Sequence, residues 1–265
     1  MIELYENVFL ICRFVNKTII FNWGTQNIYL EWTNIVSALE LYSNDELNTN
    51  NNSILHINKV LVGDEEGNLS LIEIETEYNE KKKEVHIHSL NFIHKKYKIF
   101  YSYINGILYD KRLNIIITSS KEGIISINNG FSFENLNIIE LENRPNILEF
   151  KLSNYNLLYI YTLKNKLDNN KYRMLCYTLN GIKVSNSDFE NEFINYFVSN
   201  NLKGITKEGN ILEYNCATLK FGNSTFIEDN NNNKEIIYCM DSPKLGNIFI
   251  IFNKDIKLIQ TNNEL

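Results

Sequence analysis

Leu113–Ile127 reads LNIIITSSKEGIISI, with apolar runs at Ile115–Ile117 and Ile124–Ile127 around a short polar segment that ends in Gly123. Two β-branched runs joined by a tight Gly-containing segment predict strand, turn, strand. The same unit recurs with its turn near Asn16, Gly67, Asn169, Gly209 and Lys254, at intervals of 40 to 56 residues. Almost no stretch carries the 3.6-residue period of an amphipathic helix. Many short strands with regular turns suit a sandwich, a barrel or a propeller, and a repeat of 40–50 residues with four strands each selects the propeller.

The chain is therefore expected to be all-β, a propeller of about six recognisable four-stranded blades forming one domain over 1–265. The approximate blades are 1–33, 34–95, 96–143, 144–188, 189–227 and 228–265. In such an array the second and third strands of each blade are covered on both faces, so they read as continuous apolar runs. Leu157–Leu163 and Ile248–Phe252 fit that description. The fourth strand lies at the rim and tolerates polar residues. The polar insertions Ser43–Ser53 and Tyr78–Lys83 are expected to be loops. The first unit lacks a recognisable opening strand, and the chain enters a strand almost at once. A seven-blade ring would place one blade outside this chain, as part of something longer.

Composition narrows the function. The 265 residues carry a formal net charge of −6, with 44% apolar residues, 16 Tyr and 15 Phe. A general nucleic-acid binder needs a basic surface, and no nucleic-acid partner is expected. The basic clusters Lys81–Lys83 and His94-Lys95-Lys96 are local. They read as solvated loops, with a small contact to acidic lipid or to a partner as the alternative. The Asn tracts Asn50–Asn52 and Asn230–Asn233 read as loops. Cys12, Cys176, Cys216 and Cys239 show no CxxC spacing and read as reduced thiols in a cytosolic protein. No apolar run reaches the length of a membrane span, and the N-terminus lacks the basic region of a signal peptide.

No catalytic constellation emerges, so no catalytic, cofactor-binding or metal-binding residue is assigned and no cofactor is expected. His86 and His88 share one face of a strand, and two imidazoles there could bind a metal, but no third ligand is evident. An exposed rim strand is the simpler account. Neither GxSxG nor GxxxxGK[ST] occurs. Asp64-Glu65-Glu66 reads as a solvated turn tip. Gly67, Gly123, Gly181 and Gly209 read as turn residues requiring positive φ. Trp23 and Trp32 read as core or rim residues, with interface anchoring as the alternative.

Val62–Ile74 (VGDEEGNLSLIEI) and Thr118–Ile127 (TSSKEGIISI) resemble the second-to-third strand core of a WD repeat. The terminal Trp-Asp pair is missing, Ile74 and Ile127 stand near the Trp position, and no Gly-His pair precedes the blades. The WD hydrogen-bond network would use a turn Asp, for which Asp64 and Asp255 are the nearest candidates. With no partner histidines in place, the blades are expected to be held mainly by apolar packing. In chain order, four segments resemble the C-terminal WD-repeat region of BEACH-domain, neurobeachin-like proteins. They are Phe14–Ile19 (FVNKTI), Trp32–Leu39 (WTNIVSAL), Asp110–Ile127 (DKRLNIIITSSKEGIISI) and Leu175–Lys183 (LCYTLNGIK), the last ahead of a blade-like Tyr196–Tyr214. The resemblance implies a non-catalytic protein-interaction scaffold in vesicle or membrane trafficking, cytoplasmic or peripheral to membranes. It also implies an upstream BEACH domain in the same polypeptide and unidentified protein partners. A propeller hydrolase with a central-channel site, or a WD subunit of an unrelated assembly, are the alternatives.

Overall fold

The computed structural model describes the backbone of residues 2–5, 9–13, 18–22, 27–32, 36–49, 53–79, 84–163, 172–190, 192–198, 202–207, 210–215, 220–226, 236–242, 247–252 and 256–260. Side chains are described at Ile19, 36–43, 55–77, 89, 91, 97–163, 172–190, 192–196, 198, 202–207 and 210–213. The chain divides into two compact units, Met1–Ile147 and Leu148–Leu265.

Every described element is a strand. The first sheet holds β1 (Ile2–Tyr5), β2 (Phe9–Arg13), β3 (Thr18–Asn22) and β4 (Asn27–Trp32). The second holds β5 (Val36–Thr49), β6 (Ser53–Asp64), β7 (Asn68–Asn79) and β8 (Glu84–Lys98). The third holds β9 (Ile104–Asp110), β10 (Ile115–Ser120), β11 (Ile124–Asn129) and β12 (Asn135–Glu140). The fourth holds β13 (Asn146–Leu152), β14 (Leu157–Leu163), β15 (Tyr172–Thr178) and β16 (Lys183–Phe189). The fifth holds β17 (Phe193–Val198), β18 (Leu202–Thr206), β19 (Asn210–Asn215) and β20 (Lys220–Phe226), and β21 (Ile236–Ser242), β22 (Asn247–Phe252) and β23 (Ile256–Gln260) make a three-stranded sixth. Within each sheet, strand order follows chain order, and the registered pairs are antiparallel.

Expectations about strand bounds need correction. The first unit does have an opening strand: β1 pairs with β2 through Ile2↔Ile11 and Glu3↔Leu10. Ser43–Ser53 is mostly strand, because β5 and β6 stay in register from Ser43↔Lys59 to Thr49↔Ser53. Ladder hydrogen bonds are made by backbone, so polar side chains do not stop a hairpin once its register is set. Tyr78 and Asn79 likewise belong to β7, pairing with Val85 and Glu84, while 80–83 lie outside the described residues. The second sheet therefore has strands of 12 to 15 residues, against 4 to 7 in the others.

Burial separates inner from outer strands. All six residues of β10 and the five central residues of β14 are buried. These strands are the β-branched and aromatic runs that suit a surface covered on both faces. The outer strands β12 and β16 are mostly exposed or half-buried. In the first unit β5 neighbours both β1 and β9. The layer between the second and third sheets consists of Ala38, Leu61, Leu69, Leu71, Phe100, Ile104, Ile116 and Phe133. Gly63 permits this contact: a Cβ there would stand 2.8 Å from Ile104 Cγ2. The second unit packs Tyr159, Tyr161, Met174, Cys176, Phe193, Tyr196 and Leu202 instead.

Candidate interaction surface

Five of the described turns share one construction. A side-chain oxygen at the end of a strand accepts the backbone N–H four residues on. Asp64 Oδ1 takes Asn68 N at 2.8 Å, Ser120 Oγ takes Ile124 N at 3.3 Å and Ser153 Oγ takes Leu157 N at 3.1 Å. Thr178 Oγ1 takes Ile182 N at 3.0 Å and Thr206 Oγ1 takes Asn210 N at 3.2 Å. In the first four, the residue three positions on has positive φ: Gly67 at 87°, Gly123 at 73°, Asn156 at 61° and Gly181 at 89°. The sequence form is Asp/Ser/Thr-x-x-Gly/Asn. The first residue closes the turn, and the fourth takes the left-handed conformation open to Gly and tolerated by Asn. Gly209 lies outside the described residues.

This assigns Asp64 its role. It also accepts Glu66 N at 3.0 Å and Asn68 Nδ2 at 2.8 Å, so its carboxylate is consumed by its own turn. Glu65 and Glu66 are exposed at the tip. The turns lift a few large apolar side chains into solvent. Tyr101, between β8 and β9, is 99% exposed, and Phe131, between β11 and β12, is 78% exposed. Asn129 Oδ1 holds the Phe131 turn by accepting N–H from Phe131 at 2.8 Å and Ser132 at 3.0 Å. In the second unit Tyr155 and Ile182 are exposed on the adjacent β13–β14 and β15–β16 turns. Leu136 and Ile138 are exposed on β12.

One carboxyl is half-buried between two strands. Glu40, on β5, lies against β9, where Oε1 accepts the backbone N–H of Tyr109 at 3.5 Å. Burial pushes its carboxyl up to about 7, and the Tyr109 N–H only partly offsets this. Tyr42 stacks on Tyr109 with ring centroids 4.4 Å apart and donates its hydroxyl to Gly130 O at 3.0 Å. Tyr109 donates to Asn114 Oδ1 at 3.2 Å. Burial and the neighbouring Tyr109 raise the Tyr42 phenol. This set ties β5, β9 and the β11–β12 turn together. It pairs a carboxyl with two phenols and a backbone donor, and offers no activated nucleophile.

In the second unit Lys151 sits 4.5 Å from the centroid of the Tyr196 ring. Its ammonium donates to Asn195 Oδ1 at 2.9 Å and to Tyr196 O, and pairs with Glu149 at 3.2 Å. Phe193 N donates to Tyr161 Oη at 3.0 Å, and Tyr196 Oη donates to Tyr159 O at 3.4 Å. Burial raises both phenols above the ordinary tyrosine value. Both the charge and the hydroxyls are satisfied internally.

Of the residues singled out in the sequence, Trp23, Lys81–Lys83, Asn169, Asn230–Asn233 and Asp255 lie outside the described residues. Trp32 lies in β4 and His86, His88, His94, Lys95 and Lys96 in β8, without described side chains, so His94-Lys95-Lys96 is strand rather than the expected loop, its backbone drawn into the ladder with β7. Cys176 is free and buried. Among the described residues, no group of three or more His, Cys, Asp or Glu could hold a metal ion, and no helix is long and apolar enough to cross a membrane. Glu40 and the exposed tips were not singled out from the sequence. The Asp/Ser/Thr-x-x-Gly/Asn spacing would have located the turns at 64, 120, 153, 178 and 206. No comparable signal marks Glu40.

No protein-family model and no curated protein matches the sequence. The fold does match solved structures. One is the C-terminal WD40 domain of Sif2, with a TM-score of 0.61 at 10% identity, covering 97% of this chain and 67% of that one. The fold is that of a WD-type β-propeller, built without described helices from consecutive antiparallel sheets.

Proposed function

We propose that the chain works as a non-catalytic protein-interaction scaffold, a single propeller domain over 1–265 placed in vesicle or membrane trafficking as the C-terminal propeller of a BEACH-family protein. The observation that carries the scaffold reading is the exposure of large apolar side chains on ordered turns, Phe131 foremost, while polar groups nearby are occupied in holding those turns. Loops on a rigid scaffold commonly carry binding. The trafficking placement rests on the four ordered segments, Phe14–Ile19, Trp32–Leu39, Asp110–Ile127 and Leu175–Lys183. It carries with it a cytoplasmic location, peripheral to membranes, and an upstream BEACH domain. A hydrolase would need convergent carboxylates or histidines around a substrate; Glu40 faces Tyr109 and the β5–β9 layer instead.

The test is capture from cytosol with the whole chain as bait, beside a Tyr101→Ser/Phe131→Ser variant of unchanged thermal stability. Expected is a reproducible set of proteins enriched in vesicle machinery, part of it lost with the variant. Recovery of an unrelated assembly overturns the trafficking placement, and recovery of no partner overturns the scaffold reading. An upstream coding sequence without a BEACH domain overturns the family assignment alone.

A further inference from the structure

We propose that β12 accepts an extended peptide segment as an additional strand, one with apolar side chains at alternate positions and basic residues at its ends. This rests on the scaffold reading and names for it a surface and a partner chemistry.

Among the described residues β12 pairs with β11 alone, so its other edge faces outward as a row of backbone donors and acceptors. The pairs Asn128↔Asn135 and Ile127↔Asn137 leave Leu136 as an extra residue, a bulge, and regular pairing resumes through Ser126↔Ile138 to Ile124↔Glu140. This register puts Leu136, Ile138 and Glu140 on one side. Leu136 is 57% exposed and Ile138 54%, whereas Ile139 on the opposite side is buried and anchors the strand.

β16 shows what a guarded edge looks like in the same chain. It too is an outer strand, but it carries Lys183, Asn186 and Asp188, and Asp188 is held by a bidentate pair with Arg173 at 2.5 and 3.0 Å. Charges of this kind discourage strand addition. β12 has no charged residue from Asn135 to Ile139. Its charges stand at the two ends and are acidic: Glu134 precedes it and Glu140 closes it, both exposed. Arg144 lies 3.5 Å from Glu140, with both side chains more than 60% exposed, a pairing that solvent screens and a competing cation can displace. An incoming strand would therefore gain main-chain hydrogen bonds along the edge, apolar cross-strand pairs at Leu136 and Ile138, and basic partners for the terminal glutamates.

The probe is a labelled peptide, Arg-Val-Thr-Ile-Thr-Arg, titrated against the full chain by fluorescence anisotropy, with hydrogen exchange read in parallel. Expected are saturable binding and slowed amide exchange confined to 135–140. Binding is expected to weaken about tenfold or more in Leu136→Lys/Ile138→Lys, to persist in the matched control Val184→Lys on β16, and to weaken when the peptide's ends are Glu. Absence of saturable binding, protection outside 135–140, or unchanged affinity in the double variant overturns the proposal. The exchange measurement uses the unaltered chain and stands even if a variant folds poorly. Failure here with cytosolic capture intact overturns strand addition alone; failure of both removes the scaffold reading as well.

Discussion

Between the second and third sheets, the first unit is packed by Ala38, Leu61, Leu69, Leu71, Phe100, Ile104, Ile116 and Phe133. In the second unit the buried layer is led by Tyr159, Tyr161, Phe193 and Tyr196. Tyr161 touches four other aromatic rings at centroid distances of 5.5 to 6.1 Å, and Phe189 stacks on Phe193 at 4.4 Å. Aliphatic side chains bring no polar atom into the layer. Tyrosines bury more surface each but require a partner for every hydroxyl. The difference teaches that one sheet architecture accepts both chemistries, the buried hydroxyls of Tyr161 and Tyr196 being hydrogen-bonded within the second layer. It also implies that the two units fail under different conditions.

Truncation should separate them most. Tyr196→Ala is expected to cost about 3–5 kcal/mol, and Ile116→Ala about 2–5 kcal/mol. Tyr196→Phe keeps the ring under Lys151 and should cost only about 1 kcal/mol. Denaturant unfolding measures all three, and a Tyr196→Phe loss as large as that of Tyr196→Ala would show that the hydroxyl, not the ring, holds the layer.

Titration should separate them next. Glu40 has an ordinary value of 4.5 and stands near 7 in the fold. Its proton favours folding, so its contribution is fully present below pH 4.5 and is lost as the pH rises through 7. Across that window the natural chain should lose about 3 kcal/mol relative to Glu40→Gln. The second unit should respond at the other extreme. The raised phenols of Tyr161 and Tyr196 stay protonated in the fold above the ordinary value of 10, so their contribution is lost as the pH climbs past it. Thermal melts from pH 4 to 11 of the natural chain, Glu40→Gln and Tyr196→Phe would show it. A parallel fall in all three chains would refute the assignment.

Space is a finer discriminator. A Cβ on Gly63 would meet Ile104 Cγ2 at 2.8 Å, and one on Gly204 would meet the Phe193 ring at 2.5 Å. Gly63→Ala and Gly204→Ala should each cost about 1–3 kcal/mol. The Gly204 variant should be the worse, because its Cβ would stand 2.5 Å from two atoms of the Phe193 ring, closer than the 2.8 Å approach at Gly63. The smallest effect should be shared by both units: Ser120→Ala and Ser153→Ala each remove a turn acceptor and should each cost about 1 kcal/mol. Unequal losses would mean that the common turn construction bears different loads in the two units.

The sequence made the inner strands legible because burial on both faces leaves a continuous apolar run, as in Leu157–Leu163. The turns were legible where glycine marked them, and Gly67, Gly123 and Gly181 all have positive φ. Asn156 does the same work at 61° but does not stand out in a chain so rich in Asn. The outer strands β16 and β20 were illegible for a physical reason. KVSNSDF and KFGNSTF need only backbone pairing on one edge, so their side chains carry little pattern. β5 beyond Ser43 escaped notice for the same reason. The candidate surface was harder still. Leu136-x-Ile138 reads like any half-buried strand, and only its place at the edge of the sheet exposes it. Glu40 could not be separated from the chain's other acidic residues until β9 was laid against it.

Agreement between strand order and chain order has a consequence for how the molecule is made. Among the described residues each sheet's pairings close within its own short span of sequence, so none of these strands waits for a distant partner before its ladder can form. Low sequence separation favours fast formation, and synthesis delivers the N-terminal spans first. Each sheet can assemble as it leaves the ribosome, and the long hairpins of β5–β8 offer the largest local ladder early in that sequence of events.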